Sequence, residues 1–260
     1  MSGLVGTSRR QLLTRALGAG AMLTLGGCDQ LSQSPSVRRV LASAEGLDRW
    51  LQRKLMSSQA LAREYATVDI SNAFRANGST EVDDPGYLRL AKGGFADWRL
   101  QVDGLVERSL SLSLAELRAL PARTQITRHD CVEGWSCIGQ WTGARLSAVL
   151  RMARLRPQAR YIAFHCADTL EQTLDGTGQY YETIDLIDAF HPQTILAYDM
   201  NGSALPIAHG APLRLRVERQ LGYKMAKYVM RIEAVDSFVA LGRGKGGFWE
   251  DRGYEWYAGI

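Results

Sequence analysis

The chain has 260 residues, 46% of them hydrophobic, enough for one large domain or two small ones with a real core. Its formal charge of +4 does not mark a nucleic-acid binder: residues 1–27 carry Arg9, Arg10 and Arg15 without an acid, so the remainder is close to neutral, and no basic block has interleaved aromatics. Cys28, Cys131, Cys137 and Cys166 form neither a C-x-x-C pair nor a C-x-x-C-H haem attachment, and finger-type zinc spacing is absent.

At the N-terminus, Ser8-Arg9-Arg10-Gln11-Leu12-Leu13 precedes a weakly apolar run from Ala16 to Leu25. The run is too short to span a bilayer, which takes roughly 20 apolar residues. Gly18, Gly20, Gly26 and Gly27 argue against a stable helix there. With Leu25-Gly26-Gly27-Cys28 at its end, the segment resembles a twin-arginine export signal closed by a lipoprotein cleavage box. Residues 1–27 are therefore expected to be a signal peptide and Cys28 the acylated first mature residue. Residues 28–60 are expected to hold a polar tether, Asp29 to Ser36, and a helix from Ser36 with Val37, Val40, Leu41, Leu47, Leu51 and Leu55 near one face. Packing on its own domain is preferred for that helix over a membrane-surface or partner role. Residues 61–260 are expected to form the working domain.

Beyond Glu64 the chain turns to short strands and long connections. Asp69 to Gly78 is polar and Gly-ended and reads as a loop. Trp98 to Val102 and Ser109 to Leu112 alternate around Asp103-Gly104 and predict a hairpin. Ser113 is placed to cap a helix through Leu120, stopped by Pro121. Thr124 to Thr127 reads as a strand, Ala144 to Leu155 as a helix, Tyr161 to Cys166 as a strand, and Ile184 to Phe190 as a short helix. Thr194 to Tyr198, Leu213 to Val217 and Tyr228 to Ala234 complete the predicted strands. Helices and strands are mixed without regular β-α alternation, which argues α+β and against a dinucleotide-binding fold.

Four stretches carry the chemistry. The first is Asp130-Cys131-Val132-Glu133-Gly134-Trp135-Ser136, followed by Trp141-Thr142-Gly143. The second is Ala197-Tyr198-Asp199-Met200-Asn201-Gly202, Leu205-Pro206 and His209-Gly210-Ala211-Pro212-Leu213-Arg214. The third is Gly222-Tyr223-Lys224-Met225-Ala226-Lys227, and the fourth is the loop from Asn72 through Arg75 to Asn77. Together with the aromatic tail from Gly247 to Tyr257, these resemble the sulfite oxidase-fold, molybdopterin-dependent oxidoreductases over about residues 65 to 260. The cysteine loop is most similar to that of the periplasmic methionine sulfoxide reductase catalytic subunits.

The resemblance implies an α+β, sulfite oxidase-type molybdopterin-binding fold with mixed β-sheets. It also implies a mononuclear molybdenum–molybdopterin cofactor with one pterin per chain, and Cys131 as the metal ligand and catalytic residue. A soft thiolate suits that metal. A lone cysteine is more often a small buried residue; the surrounding motif reverses that reading for Cys131. By resemblance His209, Arg214, Gly222, Tyr223, Lys224 and Lys227 contact the cofactor. Glycine gives close backbone approach, arginine a fork matched to phosphate oxygens, and glycine with lysine an anion cradle. Asn72, Arg75 and Asn77 are assigned by the loop's position, although N-A-F-R-A-N-G departs from the N-N-F-Y-E-F type of the reductases. His129 is placed to face the site from two residues before the ligand. His165 and His191 lack comparable context and are read as structural. Cys137 and Cys166 are expected to be buried and separate.

The implied activity is two-electron oxo transfer, reducing an S-oxide or N-oxide in the periplasm. The enzyme would lie lipid-anchored at the membrane surface and, with no haem of its own, would draw electrons from a membrane b-type cytochrome or similar partner. One alternative is a sulfite oxidase-like dehydrogenase, whose dianionic substrate would need cations such as Arg75 and Arg128. The other is a lipoprotein binding module of the same fold without cofactor, against which the retained Cys131 speaks.

Overall fold

The predicted hairpin forms, but not around the predicted turn. Strand β1 (Arg99–Gly104) pairs antiparallel with β2 (Leu110–Ser113), Arg99 opposite Ser113 and Val102 opposite Leu110. Leu100 and Val102 are buried while Arg99 and Gln101 are exposed, the period-two signature of a half-buried strand. Asp103-Gly104 is not the turn, because Gly104 still pairs, in parallel, with Ala234. Its φ is +82°, and a Cβ there would stand 2.4 Å from the Ala234 carbonyl oxygen, so the approach of the neighbouring strand requires glycine. Residues 105–109 make the connection instead.

The computed structural model describes residues 59–260, together with Trp50, Lys54 and Ser57. The chain divides into two units, Met1–Lys54 and Leu55–Ile260, and the second contains every strand named here. The export signal, Cys28 and nearly all of the helix predicted from Ser36 lie outside the described residues. Among the described residues no helix is long and apolar enough to cross a membrane.

Further along the chain come β3 (Ala122–Asp130), β4 (Ser136–Arg145), β5 (Tyr161–Thr169), β6 (Gln179–Asp185), β7 (Ile195–Met200), β8 (Ser203–Ala204), β9 (Arg214–Arg216) and β10 (Val229–Val235). They build two sheets. One runs β2-β1-β10-β5-β6 and is mixed, β1 and β10 being its parallel pair. The other runs β3-β4-β7-β8, with β9 also on β7, and is antiparallel throughout.

Four α-helices punctuate the described strands: α1 (Pro85–Lys92), α2 (Leu114–Ala119), α3 (Leu146–Ala153) and α4 (Leu186–Ala189). Helix α2 begins where Ser113 predicts it, in a reciprocal capping box with Glu116. Helix α1 is absent from the sequence reading although its start carries a signal. Asp84 caps it by accepting from the Tyr87 backbone N–H at 2.7 Å, and Pro85 occupies the first turn. Helix α4 is shorter than predicted because Ile184 belongs to β6 and Asp185 is its N-cap.

Strands β4 and β6 are also missing from the sequence reading. β4 contains Gly139 and Gly143, poor strand formers. A Cβ on Gly143 would lie 2.2 Å from the Leu196 carbonyl oxygen, so β7 can pair only against bare backbone. β6 is buried at five successive positions and shows no alternation. The main core joins Leu100, Val102, Ile162, Phe164 and Ile232 of the mixed sheet to Leu146, Val149 and Leu150 of α3. A smaller cluster packs Trp141, Ile195, Ala197, Met200 and Leu205 against Phe74. The α+β expectation holds.

Candidate active site

Cys131 stands in the hairpin between β3 and β4. Its backbone N–H donates to the Trp135 carbonyl at 2.9 Å, and Gly134 returns an N–H to the Cys131 carbonyl at 3.0 Å. Gly134 has φ +85°, the left-handed turn conformation that closes so short a loop. The thiol is half-buried. Burial pushes its pKa up, opposed by the Glu133 backbone N–H, so a bare thiol stays protonated at neutral pH and a metal is what would hold it as thiolate.

Cys131 borders a partly open cleft. Asn77, Ser79, Asp168 and Lys227 line it with polar groups; Tyr180, Tyr223, Trp249 and Tyr254 give it aromatic walls. Lys227 is 5% exposed, and its ammonium donates to the carbonyls of Ser79 and, at 2.9 Å, Ala208. Burial and Arg214 push its pKa down to about 7, against the smaller opposing pull of the Asp168 carboxylate. Arg214 is fully buried. It donates to the His209 carbonyl at 3.2 Å and to Asn77 Oδ1 at 3.1 Å, and its guanidinium lies 5.1 Å from the centre of the Trp141 ring. Burial, with Arg216 beside it, pushes its pKa down to about 9. Among the described residues neither cation has a carboxylate within ion-pair distance.

His209 is held between these cations, its pKa pushed down to about 4 by burial, Arg214 and Lys227. It meets Phe74 edge-on at 5.7 Å. His129 faces the same region, as expected. Arg216 Nη1 lies 3.0 Å from its Nδ1, so that nitrogen accepts and Nε2 carries the proton. Burial, then Arg214 and Arg216, keep the ring neutral.

Seven buried side-chain polar atoms lack a partner among the described residues. Five of them crowd this region: His129 Nε2, Trp141 Nε1, His209 Nδ1, Arg214 Nε and Asp168 Oδ1. Buried polar atoms are seldom left so. Unmatched donors, one unmatched acceptor and two cations without an ion-paired carboxylate suit a polar, anionic ligand with both donors and acceptors, and a pterin ending in a phosphate is of that kind. Among the described residues no group of three or more His, Cys, Asp and Glu could hold a metal. A metal at Cys131 would therefore take its remaining donors from a cofactor.

Not every predicted contact converges here. Lys224 is fully buried, but its ammonium is ion-paired to Glu182 and, at 2.5 Å, to Glu250, and it does not line the cleft. It is not the phosphate cation expected of it. Gly222 makes room for a side chain rather than an anion: a Cβ there would stand 2.4 Å from the His129 ring. Tyr223 does line the cleft, its hydroxyl donating to the Glu255 carbonyl at 2.6 Å. Arg75 lies outside, side chain 66% exposed and 3.9 Å from Glu133. Asn72 is exposed, and only Asn77 of that loop reaches the cluster.

Cys137 is half-buried rather than buried, in β4, while Cys166 is fully buried in β5; both are free. His165 and His191 sit in structural contacts, on Glu233 and the Ala60 carbonyl. The sequence reading omits Phe74, Asp168 and Arg216. A Cβ on Gly139 would lie 3.0 Å from the Phe74 ring, so that glycine marks where Phe74 docks. Asp168 accepts from the Ser79 hydroxyl at 2.5 Å, and burial raises its pKa. Arg216 pairs with Glu218 at 2.6 Å, both side chains fully buried.

Residues 89–239 match the family described as oxidoreductase molybdopterin binding domain. A protein of Azospira oryzae, provisionally named protein-methionine-sulfoxide reductase subunit YedZ1, is 35% identical over 97% of this chain and 88% of its own. The protein-methionine-sulfoxide reductase catalytic subunit MsrP of Xanthomonas campestris pv. campestris is 31% identical over 88% of this chain and 70% of its own. Among solved structures, the sulfane dehydrogenase SoxCD from Paracoccus pantotrophus overlaps 55% of this chain and 39% of its own at a TM-score of 0.48 and 24% identity. The match spans more than half of the chain, including the cysteine loop, His209, Arg214 and Lys227, and the chain belongs to the oxidoreductase molybdopterin-binding family.

Proposed function

We propose that this chain is a mononuclear molybdenum oxidoreductase that reduces an S-oxide by two-electron oxo transfer. One observation carries the reading: a half-buried thiol, Cys131, borders a cleft that Lys227 lines and that Arg214 meets through Asn77, neither cation having a carboxylate within ion-pair distance among the described residues. Cys131 would be the protein's ligand to the metal. Arg214, Lys227 and His209 would hold the phosphate end of one pterin, with Asn77 keeping Arg214 in place. When bound, the group supplies the two-electron change and carries the oxygen atom. The protein's share is to seat it, to keep the thiol directed at the cleft through the Gly134 turn, and to exclude water with aromatic walls.

The cleft favours a neutral, partly apolar substrate. Tyr180, Tyr223, Met225, Trp249 and Tyr254 line it, and relatives bear the name methionine sulfoxide reductase. A sulfite dianion would call on Arg75 and Arg128. Both are exposed and neither lines the cleft: Arg128 pairs with Asp130 at 2.8 Å, and Arg75 lies 3.9 Å from Glu133, a carboxylate of the cleft rim that a dianion would have to approach. Export by Arg9-Arg10, anchoring through Cys28, and electrons from a membrane b-type cytochrome complete the proposal. The test is protein purified from cells with intact cofactor synthesis, assayed for molybdenum and turned over with reduced viologen and sulfoxides, or with sulfite and an electron acceptor. About one molybdenum per chain and sulfoxide turnover are expected. Metal-free protein, or faster sulfite oxidation, would overturn it.

A further inference from the structure

Lys224 is the buried cation left over once the cofactor site is assembled. It ion-pairs with Glu182 of β6 and with Glu250, and lies 5.4 Å from the centre of the Trp256 ring. None of these four residues lines the cleft, but the segments they belong to do. Glu182 is two positions from Tyr180 on the same strand, and Tyr180 is cleft wall. Glu250 opens the 3-10 turn Glu250–Arg252, flanked by Trp249 and Tyr254, both cleft wall. Tyr223, adjacent to Lys224, is wall as well; its ring meets Tyr254 at 5.3 Å. The Tyr180 hydroxyl in turn donates to the Tyr223 carbonyl.

The four aromatic walls thus come from three stretches distant in sequence: β6, the turn Gly222–Lys224 and the segment 249–256. Lys224 and its two carboxylates tie the three together. Apolar packing alone would leave an exposed C-terminal segment free to slide, whereas charge-assisted hydrogen bonds are directional. Burial and the neighbouring Glu250 push the Glu182 carboxyl well above the usual carboxylate range, opposed by Lys224. A Cβ on Gly247 would stand 2.0 Å from Glu250 Oε2, so the backbone of the tail is moulded onto this group.

We propose that Lys224 is a positioning residue, which fixes segment 249–256 as the outer wall of the cleft through Glu182 and Glu250 and so sets how well a bulky S-oxide seats. The inference rests on the proposed function in one respect, that the cleft admits the substrate. A small sulfoxide reaches the metal without needing the wall. A sulfoxide within a peptide draws binding energy from it, and contacts remote from the reacting atom are the ones lost when a wall loosens.

Lys224→Met in the full chain, purified with cofactor, tests this by three measurements. Molybdenum per chain is expected to equal that of wild type. Tryptic cleavage after Arg252, followed by mass spectrometry, is expected to accelerate at least about tenfold as the segment opens. The ratio of kcat/KM for a methionine sulfoxide peptide to that for dimethyl sulfoxide is expected to fall about tenfold, through the peptide's KM. Molybdenum reduced by half would make Lys224 a cofactor anchor and overturn the inference. Unchanged cleavage and an unchanged ratio would overturn it as well. If Lys224→Met does not fold, Glu250→Gln keeps an acceptor and removes one charge; the same directions are expected at smaller size, and their absence refutes the clamp. Wild type that reduces neither substrate ends the proposed function, while the cleavage rates still decide the clamp.

Discussion

Replacing Lys227 with methionine should stabilise the cofactor-free protein and weaken the cofactor-bound one. The ammonium is 5% exposed and donates only to carbonyls, and its pKa falls from 10.5 to about 7. At about 1.4 kcal/mol per pH unit, keeping it charged costs the folded apoprotein up to ~5 kcal/mol. Methionine would leave the Ala208 carbonyl unpaired, at about 1–3 kcal/mol; the Ser79 carbonyl still accepts from Tyr228 at 3.1 Å. The net gain is roughly 2 kcal/mol, or about 4–8 °C in Tm for a domain of this size. The sign with pH is set by linkage. Folded Lys227 binds fewer protons than unfolded Lys227 between pH 7 and 10.5, so wild-type stability rises across that window. The gain from Lys227→Met is therefore largest below pH 7 and fades as pH approaches 10.5. Scanning fluorimetry of apoprotein from cells unable to make the cofactor, at pH 6 to 9.5, measures it. A variant that melts no higher than wild type at pH 6, or a gain that does not decline with pH, would refute the view that this charge is uncompensated without ligand. In the loaded protein the order should reverse, with less molybdenum per chain in the variant.

Cys131→Ser should abolish turnover while the fold remains, because a hard hydroxyl replaces a soft thiolate; wild-type activity in that variant would end the ligand assignment. Gly222→Ala should cost about 1–3 kcal/mol, since the added Cβ would stand 2.4 Å from a fully buried His129 ring. An unchanged urea midpoint would show that the ring has room to move. Arg9→Lys with Arg10→Lys should strand a precursor in the cytoplasm, and Cys28→Ala should block lipidation. A mature terminus found well downstream of Cys28, unmodified and on soluble protein, would rule out the anchor.

What the sequence discloses about this molecule is mostly local. Ser113 and Glu116 lie within one turn of α2 and announce it; the hairpin of β1 and β2 shows in its alternation. Strand β6 escapes detection because it is covered on both sides and therefore has no period. The pattern around Cys131 is contiguous and legible, yet Phe74 and Asp168 enter the site from far away in the chain and leave no mark beside it. Lys224 and Lys227 make the limit plain. They are three residues apart, of one type, and both are buried. Their roles diverge because Glu182, 42 positions upstream, and Glu250, 26 downstream, meet one ammonium, whereas the other meets only carbonyls. An anion site is defined by cations whose counter-charge is missing, and a missing partner is a property of the folded chain. No motif states it. The charge balance of the interior therefore separates the lysine that can receive a phosphate from the one that holds a wall in place.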